Sequence, residues 1–167
     1  IVAVAHNSNV GFVSSEGTGE IIKFSLPDGR VLGRLGGLSA PAQLTITPDD
    51  STLIAVDPGT TQLIFVNAAT MQKKTTLDAK NWDPDAAFTI FNNVALSADG
   101  STGIIASRGL NSEAVYTVYI FSTSTASVVA TETMMNAPGY AGLTPDGQNW
   151  VILGQNSLFV VPTANPD

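Results

Sequence analysis

One short polar turn recurs along this chain, each time set between two apolar segments of strand length. It reads Thr47-Pro48-Asp49-Asp50, then Ser97-Ala98-Asp99-Gly100, then Thr144-Pro145-Asp146-Gly147, with a degraded copy at His6-Asn7-Ser8-Asn9. Asp49 and Asp99 stand 50 positions apart, and Asp99 and Asp146 stand 47 apart. A period of this size marks a chain built from repeated supersecondary units, each too small to bury its own apolar face without its neighbours.

The copies align strand by strand. A second strand follows each turn, as Phe12-Val13-Ser14-Ser15, Ile54-Ala55-Val56-Asp57, Ile104-Ile105-Ala106-Ser107 and Val151-Ile152-Leu153-Gly154. A third recurs as Ile22-Lys23-Phe24-Ser25, Ile64-Phe65-Val66-Asn67, Ile120-Phe121-Ser122 and Phe159-Val160-Val161. A more polar fourth strand appears in three copies, at Val31–Leu35, Lys74–Leu77 and Val128–Thr131. β-branched and aromatic enrichment, with Gly, Pro, Asn or Asp at the ends, reads as strand throughout. The segment Trp82 to Asn93 competes only weakly, with at best one helical turn around Ala86-Ala87-Phe88.

A four-stranded antiparallel unit every 40 to 50 residues, roughly, predicts an all-β chain of propeller blades. The expected blades span 1–40, 41–82, 90–135 and 137–167 of a single domain, the last one incomplete. The apolar first three strands of each belong in the core and the polar fourth on the rim. The repeats resemble those of YVTN-type β-propellers, in which an apolar strand, a Pro-Asp-Gly turn and a Tyr-Val-Thr-Asn-like strand recur. Phe12-Val13-Ser14-Ser15 is the nearest approach to that tetrad, and the other copies end it in Asp57, Ser107 or Gly154. Lactonase-like and NHL-like propellers share much of the pattern. The resemblance implies a surface-interaction role.

Counting strands gives fifteen for four blades, one short of completion. An unclosed series would leave two apolar blade faces in water. The chain is therefore expected to be an arc of a larger propeller of about six to eight blades, completed by further blades, a second chain or a homo-oligomer. A closed four-blade ring is the alternative. The opening Ile1-Val2-Ala3-Val4-Ala5, with no initiator Met, fits processing or truncation.

Composition narrows the function classes. With 44% hydrophobic and 13% charged residues the chain is expected to be ordered. A net charge of -7 with seven basic residues argues against nucleic-acid binding, because no cationic surface exists to displace phosphate counterions. It argues equally against an anionic membrane surface, and no apolar stretch reaches spanning length. Zero cysteines exclude a disulfide framework and thiol chemistry. Richness in Ser, Thr, Asn and Gly with few Lys points to an extracellular, cell-surface or periplasmic, bacterial-like setting.

Binding residues are expected on the loops that join second to third strands and fourth to next first strands, since these gather at one end of a propeller. The longest holds Lys80-Asn81-Trp82-Asp83-Pro84-Asp85. Trp82 could anchor a partner, Asp83 and Asp85 could contribute to a Ca²⁺ site, or the segment could be a plain linker. Arg108, one of three arginines, is expected in a loop at the blade position of Asp57. The two could hold a carboxylate or polar ligand through the planar guanidinium, or simply pair with each other. His6, the single histidine, reads as a turn residue making a local hydrogen bond. The repeated Asp49, Asp99 and Asp146 read as turn caps rather than catalytic acids.

Three functions fit. The leading one is a non-catalytic binding or scaffold module that holds a protein or glycan by its end loops, with no cofactor. The others are part of a propeller enzyme, a lactonase-like hydrolase or a lyase, and a building block assembling through open blade edges.

Overall fold

The structure, a computed structural model, describes residues 1–81, 86–87, 94–109, 116–134, 138–144, 146–154 and 158–163, with backbone alone at some strand positions such as 106–109. The chain divides into two compact units, Ile1–Trp82 and Asp83–Asp167. Each holds two antiparallel sheets.

In the first unit, β1 (Val2–Val4), β2 (Val10–Ser15), β3 (Glu20–Ser25) and β4 (Val31–Leu35) pair in sequence order. A second sheet follows in the same order, from β5 (Gln43–Ile46), β6 (Thr52–Asp57), β7 (Gln62–Asn67) and β8 (Gln72–Asp78), closed by a short 3-10 turn at Ala79–Asn81. The second unit opens with β9 (Ala86–Ala87) and β10 (Ala95–Leu96), continues through β11 (Thr102–Gly109), β12 (Tyr116–Ser122) and β13 (Ser127–Met134), and ends with β14 (Pro138–Leu143), β15 (Asn149–Gly154) and β16 (Leu158–Pro162). Among the described residues the fourth sheet has three strands.

Two-residue alternation gives each sheet two apolar faces. Within each unit we call the face that the first of its two sheets turns to the second leading, and the face that the second turns back trailing. In the first unit the leading side chains Ala3, Phe12 and Ile21 share one core with the trailing side chains Leu53, Ala55, Ile64 and Val66 of the second sheet. In the second unit Ile104, Val118 and Ile120 pack against Trp150 and Ile152, with Phe159 and Val161 alongside. Across the first junction the Lys23 ammonium donates to the carbonyls of Ala68 and Ala69 at 2.8 and 3.0 Å. The polar fourth strands lie outermost, where β4 and β8 are mostly exposed.

Each complete sheet carries a bulge at one repeated place, between Lys23 and Phe24, Phe65 and Val66, and Ile120 and Phe121. An extra residue there sharpens the twist of the outer strand pair. A second regularity lies in the partners facing each other across strands two and three. They are Gly11 and Phe24, Leu53 and Val66, Gly103 and Phe121, Trp150 and Val161. Where the second strand has glycine, the third has phenylalanine lying over it. A Cβ added at Gly11 would come within 2.5 Å of Phe24 Cζ, and one at Gly103 would collide with the Phe121 ring. The four copies thus divide the bulk at this place differently between the two strands.

One expectation needs correcting here. Ala86 and Ala87 form no helical turn: they pair as strand with Gly109 and Arg108. The cause is β11, which extends to Gly109 and offers backbone partners beyond the two residues of β10. Ala87 lies opposite Arg108 and Ala95 opposite Ile104, so four extra residues are inserted between them on the β9–β10 side. Phe88 lies outside the described residues.

Candidate functional site

The repeated turns come first, because their carboxylates are the most regular acidic feature of the chain. Asp49 Oδ1 accepts from the Thr47 hydroxyl at 2.5 Å and from Ser51 N at 3.0 Å, and Thr47 Oγ1 accepts from Thr52 N at 3.0 Å. Ser97, Asp99, Ser101 and Thr102 repeat the pattern, as do Thr144, Asp146, Gln148 and Asn149. The hydroxyl two residues before each Asp, followed by the amide two residues after, lowers all three carboxyls below the usual carboxylate range, Asp49 to about 2. Groups held this firmly ionised cap turns and are poorly suited to carry protons near neutral pH.

A pH dependence follows. A depressed folded-state value stabilises fully above the unfolded value near 3.8, and that contribution disappears as pH falls towards about 2. Acid titration followed by far-UV circular dichroism should show stability falling across this window. The triple variant Asp49→Ala, Asp99→Ala, Asp146→Ala should be less stable at pH 6 and show a shallower fall; an unchanged slope would refute the assignment.

Asp50 breaks the repeat, standing where Gly100 and Gly147 stand in the later copies. Its φ is 57°, against 71° at both glycines. The strain of a left-handed non-glycine residue is offset across the sheets. The Asp50 carboxylate accepts from His6 N and Asn7 N, both at 2.7 Å, and lies 3.1 Å from His6 Nδ1. The His6 amide, the largest cause, with Asn7 N and the imidazole, lowers the Asp50 carboxyl. His6 therefore makes no local bond: its partner is 44 residues away. The fold sets two homologous turns side by side, a proximity no local pattern reports.

At the opposite end the loops 15–20, 36–42 and 57–62 are laced together. Asp57 is 1% exposed, and its Oδ2 and Oδ1 accept from Ser39 N at 2.8 Å and Ala40 N at 2.9 Å. Leu38 N donates to Gly19 O at 3.1 Å, and Ala79 N to Thr61 O at 3.0 Å. Gly19 has φ 62°, and a Cβ there would collide with the Leu38 carbonyl oxygen, so glycine is required twice over. The exposed surface of this end is small and polar, presenting Glu16, Thr18, Ser39 and Thr60.

Of the residues singled out in the sequence, Asp57 lies at this end as an internal tether. Arg108 is not in a loop: it lies inside β11, opposite Tyr116, because the β11–β12 hairpin runs two residues longer than its counterpart ending at Asp57. By register Ser107, not Arg108, matches Asp57. Trp82, Asp83 and Asp85 lie outside the described residues, as does the Arg108 side chain. Among the described residues no three His, Cys, Asp or Glu side chains gather as a metal set. A feature the sequence did not suggest is an open groove of about 390 Å³ in the second unit, where Thr102, Ser122, Ser124 and Thr163 surround Ile120 and Val129. Its only sequence signal is the register that sets Thr102 opposite Ser122.

No protein-family model matches the chain, and no curated protein matches it. Solved structures do. Hydrazine synthase of Kuenenia stuttgartiensis superposes with a TM-score of 0.75 at 14% identity, over 97% of this chain and 53% of that one. The Cps50 (Swd1) β-propeller domain of Myceliophteria thermophila gives 0.73 at 14% identity, over 99% of this chain and 54% of that one. Dihydro-heme d1 dehydrogenase NirN, in complex with DHE, gives 0.74 at 13% identity, over 97% and 34%. The likeness shows a β-propeller fold, and at such identity the fold alone. The chain spans about half the length of the first two structures and about a third of the other.

Proposed function

We propose that the chain is a non-catalytic binding module, a YVTN-like part of a larger propeller displayed in an extracellular, cell-surface or periplasmic setting, which holds a protein or glycan by its end loops. The observation that carries this reading is the Asp57 tether. A buried carboxylate bonded to two loop amides fixes the loops 36–42 and 57–62 as one surface without ordering cost at the moment of binding. The turn carboxylates support it from the other side, being committed to scaffold bonds. The propeller neighbours include enzymes and non-enzymes, so fold alone favours neither.

Trp82, Asp83, Asp85 and Arg108 are the proposed contact residues, while Asp57, buried, serves as the tether that holds the loops. The test compares the loop residues with the groove of the second unit on a glycan array and against immobilised extracellular proteins. Thr18→Arg with Thr60→Arg, or alanine at Trp82, Asp85 or Arg108, should weaken binding about tenfold or more. Ser124→Arg, in the groove of the second unit, should leave it unchanged. The reverse pattern would move the site to the hydroxyl-lined groove and overturn this reading.

A further inference from the structure

The outer edges of the three complete sheets are not alike. In each, the fourth strand pairs with the third, and among the described residues no strand lies on its far side. Such an edge invites a further strand unless it is short, charged or broken by proline. β4 is five residues long and holds Gly33 and Arg34. β8 carries Lys73 and Lys74 near its start, both exposed. β13 runs for eight residues, Ser127-Val128-Val129-Ala130-Thr131-Glu132-Thr133-Met134, with no Lys, Arg or Pro among them. Among the described residues, no backbone hydrogen bond reaches this strand except those from β12.

A bulge can also blunt an edge, but here it occupies the same place in all three sheets and sets none apart. Beyond it the regular ladder covers Gly33–Leu35 in β4, Thr75–Asp78 in β8 and Ala130–Met134 in β13. The third sheet offers the longest uninterrupted edge. Ser127, Val129, Thr131 and Glu132 along it are exposed, and its Val and Thr residues favour the extended chain. Sheets stacked face to face, within this chain or beyond it, leave the far side of a fourth strand outward. Charge then decides what the edge admits. Glu132 is the one ionisable side chain of β13, in a chain of net charge -7. A second copy would bring another Glu132 and another -7, whereas a basic strand meets attraction at both ranges.

We propose that the outer edge of β13 takes up an extended, basic segment of a partner protein as an added antiparallel strand. Main-chain hydrogen bonds along Ala130–Met134 supply the affinity, and a Lys or Arg set across from Glu132, flanked by β-branched residues, supplies the selection. This surface lies apart from the loops that join the strands and does not rest on the loop-end binding role.

The probe is a labelled, end-capped peptide of about eight residues built from Thr, Val and Lys. Beside it stand the same peptide with Glu in place of Lys, and one interrupted by two prolines. Fluorescence anisotropy should show the Lys peptide binding, the Glu peptide at least about tenfold weaker, and the proline peptide not at all. Hydrogen exchange of the unmodified chain should slow across Ala130–Met134 when the Lys peptide is bound, a reading that needs no variant. Thr131→Lys, at an exposed position, should weaken binding about tenfold or more. Glu132→Lys should do the same and turn the preference towards the Glu peptide. No binding of the Lys peptide up to about 1 mM overturns the proposal, as does binding indifferent to both substitutions or protection that falls on other strands. Self-association of the chain that Thr131→Lys abolishes would give the edge to a second copy and overturn it too. Thr18→Arg with Thr60→Arg should leave peptide binding unchanged, so failure here is distinguishable from failure of the loop-end role.

Discussion

Replacing Trp150 by alanine is expected to cost about 3–5 kcal/mol of stability. Its side chain is fully buried, wedged among Ile104, Val118, Ile120 and Ile152 at the centre of the second unit. Alanine would open a cavity that strands on both sides hold apart. Trp150→Phe is expected to behave differently, within about 1.5 kcal/mol of the parent. The indole Nε1 is buried without a hydrogen-bond partner, so phenylalanine loses packing area and also removes an unsatisfied donor whose desolvation costs about 1–3 kcal/mol. Urea unfolding followed by circular dichroism separates the two, and equal losses for both variants would show that the site is not tightly packed.

Gly103→Val is the second large effect, expected at about 3 kcal/mol or more, the upper end of overpacking. The added side chain would be driven into the Phe121 ring, itself fully buried and unable to swing aside. The pairing is testable as a cycle. Gly103→Val combined with Phe121→Val should recover much of the loss, with a coupling of about 2 kcal/mol. Leu53 opposite Val66 shows that a branched pair fits this place in the repeat. Additive losses would mean that Gly103 is needed for its backbone, not for the ring above it.

The strand order was legible because local signals agreed. Asp49, Asp99 and Asp146 fixed the phase of the repeat, and apolar runs such as Ile64–Asn67 fall inside the observed strand Gln62–Asn67. What was not legible depends on distant chain. Ala86 and Ala87 have little intrinsic preference for strand and take it from the overlong partner strand β11. Asp57 was expected at a loop end, holding a ligand together with Arg108 or pairing with it. It turned inward because Ser39 N and Ala40 N, at the end of the preceding repeat, needed acceptors. Nothing local in the sequence reports that Asp50, at the glycine position of its turn, meets His6 and Asn7.

The exchange of bulk between strands two and three also bears on how such genes can recombine. A crossover within the hairpin between Gly103 and Phe121 that brought in the partner strand of Trp150 would join glycine to Val161 and leave a hole. The opposite crossover would join Trp150 to Phe121 and produce a collision. Breakpoints in the connections after β4 or β8 keep each hairpin whole and avoid both faults. Duplicated repeats are thus expected to diverge as hairpins inherited intact, with the seams of ancient shuffling lying between blades.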